Sequence, residues 1–561
     1  MAVTTASLLF TGTTTATTIA LGGTLAWGQV VIGGLVFSAA TSLVTNALMP
    51  KPDFGGMGSN GTQTNFKSTT APHDIVYGRT RKGGVVTYME TTDTNKYLHM
   101  IVVLAGHECD AVESIYINDK VATIDGNGLV TSYIEEDGSG DDKTWASKIR
   151  IFAHTGAQTL STVFSNIGGS TNTSNKTLVN TLHTETENSG MTNAFIGSGL
   201  TYLYVRLEYD GEVFSGGIPT FTAKLKGKKV YDPREAGQTS GNASSWDWSA
   251  NAALCVRDYL TSDYGVNSPS SEIDDASIIS AANACATVSV GSDPNNPFDI
   301  NGVVQTSSTP QSILNQMMTA CGGTLFWGQG AWKLMIGYQT PRTTALTLGD
   351  LRGPISLDTR MSRRDAFNII QGQFADAAQD YITVDYPQYR DASSITEDNS
   401  QESILDLSLP LTTSSATAQR LAKQTLLRNR EQMTFSASFG IKAFDIQAGD
   451  IVKLTLARYG WTDKLFEVVS WSFGVGETTV VNLTLRETSQ AAFSWVENDY
   501  SIITANNTTL PSPFEVGVPV MQNPTQLTQQ NYDGFATSKI IFTWTAATTG
   551  TVSNNYDFAW K

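Results

Sequence analysis

The stretch DIVYGRTRKGGVVTYM, residues 74–89, decides the fold class of this chain. Its two apolar runs, 74–79 and 84–89, are rich in Val, Ile and Tyr and flank a basic turn, Arg79-Thr80-Arg81-Lys82-Gly83. Apolar runs separated by glycine in this way are typical of paired strands. Two further apolar runs, 97–105 and 112–118, extend the pattern to a meander of four strands. The first folded domain is therefore predicted to be β-rich.

The pattern changes twice beyond this meander. Apolar residues at helical spacing in 249–260 and 273–282, and a helix start at Thr309-Pro310, predict a helical middle section. Strand patterns return after about residue 346, with one helix predicted from Ser415 to Gln432. The hydrophobic content of 40% is ordinary for a globular protein. The sequence thus predicts an α+β, β-rich multidomain protein.

The chain of 561 residues is too long for one core, and several domains are expected. The predicted divisions are an uncharged apolar N-terminal segment (1–50), a linker (51–71), a β-rich domain (72–230) with a polar insertion (126–198), an α/β domain (231–345), a second β-rich domain (346–500), a second linker (501–517) and a last segment (518–561).

Residues 1–50 contain no Asp, Glu, Lys or Arg. No basic region precedes the apolar part, so it does not fit a secretory signal. Two interpretations stay open. The segment is either buried against other subunits, or it enters a membrane, which it is long enough to span.

The charge and the cysteines limit the possible functions. The formal net charge of −16 argues against a nucleic-acid binder, because such proteins neutralise phosphates with clustered Lys and Arg. Cys109, Cys255, Cys285 and Cys321 are widely spaced, which favours reduced, buried thiols in a protein folded in a cytoplasm.

The motifs that resemble catalytic or binding sites lack their structural context. Residues 56–61 match GxGxxG, but proline-rich coil precedes them where a strand is needed. The loop that begins at Asp125 has Val130 where an EF-hand requires glycine, so a solvated hairpin tip is expected. His107 and Cys109 form a close pair, but two ligands do not make a zinc site. No cofactor, no metal and no enzymatic activity are predicted.

Several short motifs, in order along the chain, resemble the phage tail tip attachment protein J family. The family has a VYGRTR-type hairpin followed by a KYLH strand, as in 75–85 and 96–99 here. In place of the family's usual Pro-Gly-Asp turn this chain has Gln447-Ala448-Gly449-Asp450. Further matches are 231–234, 251–260, 301–304 and 363–368. From Val518 onward the chain resembles the start of a fibronectin type III domain.

The resemblance implies a structural protein with β-barrel-like hub domains, and not an enzyme. It implies a virion protein at the distal end of the tail, made in the host bacterial cytoplasm, that forms a homotrimeric hub. Its implied partners are distal tail and tube proteins, the tape-measure protein, tail fibres or receptor-binding proteins, and a host surface receptor. Such a hub joins the tail tube to host-attachment fibres and closes the channel until DNA ejection. A β-rich adhesin or carbohydrate-binding protein is the alternative.

Two sets of residues are candidates for hub functions. Arg79, Arg81 and Lys82 are candidate assembly contacts with acidic groups of an adjacent tail ring, against the simpler interpretation of a solvated hairpin tip. Gly33, Gly34, Val36 and Phe37 are candidates for a channel plug, because small residues permit close packing of three such segments on the axis.

Overall fold

The fold is taken from a computed structural model. It describes residues 63–495 apart from 69, 135–140, 143–144, 159–196, 287–297, 338, 340, 344, 361, 363–364 and 476–478, and then 501, 520–530, 533–534, 536–541 and 544–545. The chain divides into two compact units, Met1–Ile503 and Thr504–Lys561, which are described separately.

The first β-rich part of the larger unit consists of two facing sheets. One sheet has the strand order β1-β4-β5-β11-β10 and the other β3-β12-β6-β7-β8-β9. Apolar side chains from both sheets fill one core, which includes Val102, Leu203 and Phe221. The strands are β1 (Phe66–Lys67), β2 (Asp74–Tyr77), β3 (Arg79–Lys82), β4 (Val85–Thr92), β5 (Tyr97–Ala105), β6 (Ala111–Ile117), β7 (Lys120–Ile124), β8 (Val130–Ile134), β9 (Asp141–Asp142), β10 (Ile149–His154), β11 (Thr201–Glu208) and β12 (Phe221–Lys226).

The predicted hairpin at 74–89 is wrong in its centre. The basic segment Arg79–Lys82 is not a turn but the strand β3, which pairs with β12. Gly78, at a left-handed φ of +62°, separates it from β2. Only glycine adopts this conformation readily, so the chain changes direction at Gly78. The prediction failed because the pairing partner of β3 lies about 140 residues further along the chain.

The middle of the unit is helical, as predicted. It contains β13 (Lys229–Val230), β14 (Asp247–Trp248), α1 (Ala252–Thr261), α2 (Asp275–Ala286), β15 (Gly302–Gln305), α3 (Pro310–Cys321), β16 (Thr324–Gly328) and β17 (Ala331–Met335). The start predicted for α3 is confirmed, because the Thr309 side chain accepts a hydrogen bond from the Ser312 amide and Pro310 opens the helix. The helix ends at Gly322 with φ +59°.

Strand β15 pairs with β2 across more than two hundred residues of sequence. This pairing attaches the first β-rich part to the helical middle. The core of the middle also takes side chains from a later part of the chain, among them Phe367, Leu411 and Leu421.

The remaining strands and helices of this unit lie between residues 345 and 487. They are β18 (Ala345–Thr347), β19 (Leu351–Asp358), β20 (Ile369–Gln371), β21 (Gln373–Asp376), β22 (Ile382–Asp385), β23 (Tyr389–Arg390), α4 (Ala392–Glu397), β24 (Ile404–Asp406), α5 (Ser415–Arg430), β25 (Thr434–Phe439), β26 (Ile451–Leu456), β27 (Trp461–Val475) and β28 (Thr479–Glu487). The helix predicted from Ser415 is confirmed, and Ala418, Leu421 and Ala422 are buried on its inner face.

One six-stranded sheet of this part curls into a half-barrel, which we call the barrel. Its strand order is β18-β26-β27-β28-β25-β19, so β18 and β19 form its opposite edges. These two strands are joined only by the three-residue turn Leu348–Asp350. Since three residues span about 10 Å at most, the two edges must approach each other. The interior is filled by apolar side chains, including Phe435, Phe466 and Leu483.

The second unit contributes four described strands, β29 (Val520–Met521), β30 (Thr525–Gln530), β31 (Ala536–Ile541) and β32 (Trp544–Thr545). Strand β30 pairs with β31, and β29 with β32, both in antiparallel register. The fibronectin type III assignment of this segment stays a prediction. Among the helices of the described residues, none combines the length and the apolar character needed to cross a membrane.

Candidate assembly site

The three basic residues of β3 each contact a carboxylate of the same chain. Arg79 pairs with Glu113 at 2.9 Å, Arg81 with Asp119, and Lys82 with Asp74 at 2.6 Å. The side chains of Arg81 and Lys82 are almost completely buried, at 3% and 4% exposure, whereas that of Arg79 is 40% exposed. Successive side chains of a strand point to opposite faces of the sheet, so Arg79 and Arg81 lie on one face and Lys82 on the other.

Arg81 also connects the first β-rich part to the tip of the β21–β22 hairpin. Its guanidinium lies 3.7 Å from the carboxylate of Asp380 and stacks on the ring of Tyr116, 4.0 Å from the ring centre. The Tyr116 hydroxyl donates to Asp380 at 3.2 Å, and burial raises the pKa of Tyr116. Asp380 and Tyr381 both have positive φ, of 53° and 62°. These contacts hold the two parts of the unit together.

The interpretation of the basic segment as a solvated hairpin tip is therefore wrong. Reversing the charges of Arg81 and Lys82 would bury carboxylates beside Asp119, Asp380 and Asp74, and the protein would lose stability before assembly could be tested. Arg79 alone of the three has a large exposed surface. A contact of these residues with an adjacent ring stays a prediction.

A buried polar cluster that the sequence did not indicate surrounds Asp258 on α1. One carboxylate oxygen of Asp258 accepts hydrogen bonds from Tyr77 (2.7 Å), Lys228 (3.0 Å), Tyr264 (2.9 Å) and Ser262 (3.2 Å). Burial, with the nearby Asp258 charge, raises the pKa of Tyr77 well above its ordinary value. The cluster ties β2 to α1, so it joins the first β-rich part to the helical middle.

The cluster left no distinctive signal in the sequence. Its members are ordinary polar residue types, and they lie as far apart as residues 77 and 264. The only local signal is the segment 251–260, in which Arg257 and Asp258 interrupt an apolar helix whose residues are nearly all buried. A buried acid in such a helix requires partners.

His107 and Cys109 have structural roles. His107 Nε2 accepts from the Val76 amide at 2.8 Å, and Nδ1 lies 2.8 Å from the Glu108 carbonyl, so the neutral ring satisfies both groups. Burial lowers the pKa of His107 to about 4 and raises the pKa of the Cys109 thiol to about 11. No group of three potential metal ligands occurs among the residues that the structure describes.

The loop at Asp125 is a hairpin tip between β7 and β8. The Asp125 carboxylate accepts from the amides of Asn127 and Leu129, both at 2.8 Å, which is a local turn contact. The proposed plug residues Gly33, Gly34, Val36 and Phe37, and the GxGxxG match at 56–61, lie outside the described residues.

Comparison with known proteins shows similarity to phage tail proteins over part of the chain. Residues 309–471 match the model of a family described as putative phage tail protein. This segment runs from α3 through most of the barrel. The resemblance to phage tail proteins that the sequence indicated is confirmed.

The chain is similar in sequence to the baseplate hub protein pb3 of Escherichia phage T5, with 25% identity over 298 residues. The match covers 49% of this chain and 30% of pb3. Among solved structures, a chain from the virion of a native gene transfer agent particle aligns over 82% of this chain and 95% of its own length, with 13% identity and a TM-score of 0.48. A 43 kDa tail protein of prophage MuSo2 from Shewanella oneidensis aligns over 76% of this chain and 100% of its own, with 12% identity and a TM-score of 0.27.

Proposed function

We propose that this chain forms the central hub at the distal end of a phage tail. In this role it joins the tail tube to host-attachment fibres and closes the channel until DNA ejection. The observation that carries the proposal is the similarity to a baseplate hub protein across 49% of the chain. The proposed partners are tube proteins, the tape-measure protein and fibre or receptor-binding proteins.

The way in which the parts of the larger unit are connected supports a role in transmitting force. The β2–β15 pairing and the Asp258 cluster attach the first β-rich part to the helical middle, and Arg81 with Asp380 attaches it to the β21–β22 hairpin. A hub that links tube to fibres must transmit force between its parts. Buried, multiply bonded contacts suit that requirement better than flexible linkers do.

We further propose that the hub is a closed homotrimer, with hub domains at 72–230, 231–345 and 346–500. Most soluble homo-oligomers have closed symmetry, and a ring with an open axis fits a tail channel. The mass of the isolated full chain at micromolar concentration should correspond to three copies. A stable monomer, together with virions that show no ring of this protein, would rule out the trimer.

The position in the virion is the decisive property of the proposed function. Gold labelling of a tag on this chain should place it at the distal end of the tail in electron micrographs. A tag on the capsid protein serves as the control for label access. Label along the tail shaft or at the capsid would contradict the proposal.

A further inference from the structure

An apolar surface lies at one end of the barrel, on two adjacent tight turns. Leu348 is 68% exposed, Ile441 64% and Phe444 50%. The turns Leu348–Asp350 and Ile441–Ala443 are held together by Lys442, whose ammonium donates to the Ala345 carbonyl (2.9 Å) and to Asp350 (3.0 Å). Three large apolar side chains therefore project from an ordered support, which is typical of an interaction site. We call this the barrel-end surface.

The barrel-end surface also carries an exposed arginine, Arg352. The Arg352 guanidinium donates only to the carbonyls of Gly349 and Leu351, and no carboxylate among the described residues pairs with it. A partner that fits this surface offers apolar side chains together with carboxylate or carbonyl oxygens.

The loop between β11 and β12, residues 209–218, has this chemistry. Tyr209 is 74% exposed and Ile218 52%. Glu212 is exposed and forms no ion pair with any described residue. The loop is ordered by the Asp210 carboxylate, which accepts from the Glu212 amide at 3.1 Å and pairs with Lys148 at 3.3 Å.

We propose that the barrel-end surface of one copy of this chain binds the 209–218 loop of a second copy, with Arg352 facing Glu212. The two surfaces belong to different parts of the chain, so the contact is head-to-tail. Its repetition forms a closed trimer when each contact rotates the next copy by one third of a turn. Because each copy carries a net charge of −16, copies repel at long range, and a local pair of opposite charges fixes the register. This inference rests on the proposed trimer and assigns its interface.

Charge reversal on the full chain tests the assignment. Arg352→Glu should weaken self-association at least tenfold, as measured by mass photometry, because it places a carboxylate against Glu212. Glu212→Arg alone should do the same, and the double variant should restore association. Arg458→Glu is the matched control, since Arg458 is an exposed arginine on a different turn of the barrel, Ala457–Tyr459. Association unchanged by Arg352→Glu, or no recovery in the double variant, would overturn the assignment.

Cross-linking gives a second, independent measurement. The four natural cysteines are buried, so an introduced surface thiol reacts selectively. Chains with Leu348→Cys and chains with Ile218→Cys, co-expressed and then oxidised, should form disulfide-linked dimers, whereas each variant alone should not. A trimer without these dimers would overturn the interface and leave the proposed function standing. A wild-type monomer, together with virions that show no ring of this protein, would overturn the trimer and its interface.

Discussion

His107 resembles a metal ligand in the sequence but has a structural role in the fold. Its spacing from Cys109 looks like half of a metal site, but both ring nitrogens bond to backbone groups of the same chain. The neutral ring can accept from Val76 only while Nε2 is unprotonated. Protonation of Nε2 must therefore break the hydrogen bond from the Val76 amide, which helps to hold β2 in place.

Stability is expected to depend on pH through His107. Its pKa is about 4 in the folded protein, below the ordinary value of 6.5, so the unfolded chain binds the proton first as pH falls. The free energy of unfolding should decrease from pH 6.5 to pH 4, by about 3 kcal/mol for this residue. Urea unfolding across this range measures the slope. His107→Gln should reduce the slope but not abolish it, because burial also lowers the pKa of His154 to about 4. An unchanged slope would contradict this account.

The Asp258 cluster should be a major contributor to stability. Asp258→Asn keeps the shape of the side chain but removes the charge that Lys228 requires. Removal of one member of a buried ion pair typically lowers the free energy of unfolding by about 3–5 kcal/mol. The measurement is the urea midpoint of the full chain. Asp263→Asn, at an exposed position, should change the midpoint little, and an equal effect of the two variants would show that the cluster is not important.

The change of chain direction between β2 and β3 requires the glycine between them, Gly78. A Cβ at Gly78 would lie 2.1 Å from the Ile300 carbonyl oxygen, and its φ is left-handed. The conformation alone costs about 1–2 kcal/mol for other residues, and the backbone contact adds to it. Gly78→Ala should therefore lower the thermal midpoint clearly. Gly126→Ala, with open space around the Cβ, is the control, and equal midpoints for the two variants would refute the role of Gly78.

Elements with strong local signals were predictable, and those that depend on distant partners were not. The helix α3 carries its cap, its first-turn proline and its terminal glycine within a short stretch of sequence. The strand β3 has no such signal. Its charges predict a solvent-exposed segment, whereas in the fold it contacts Asp74, Asp119 and β12. The Asp258 cluster was not predicted either, because its members are also distant in sequence.

At the scale of the molecule, the sequence predicted the class of fold better than the distribution of its cores. The alternation of β-rich, helical and β-rich parts follows from periodicity. Periodicity does not predict that Phe367 and Leu421 pack in the core of the helical middle. A change of periodicity shows where one secondary-structure element ends and another begins, but it does not show which elements share a core. The domain boundaries stay a prediction.

The uncharged segment 1–50 should be dispensable for folding of the remainder. Deletion of residues 1–48 should leave the rest of the chain folded and trimeric, by circular dichroism and mass. Tails that carry the deletion should fail to assemble around the tape-measure protein, or their capsids should leak DNA. Fully infective phage with this deletion would refute both the plug and the membrane hypothesis. A deletion of residues 159–192, which leaves β10 and β11 intact, should leave the retention of DNA unchanged and serves as the control.

The pairing of β2 with β15 has a consequence for biosynthesis. The ribosome releases Tyr77 long before its partner Gly302 exists. At about 5–20 residues per second, the delay is on the order of 10–50 s. During this time β2 is an unpaired strand with Ile75, Val76 and Tyr77 accessible to other nascent chains. In a polysome that makes many copies for one round of virion assembly, this interval is when wrong pairing between chains competes with folding, and chaperones act there.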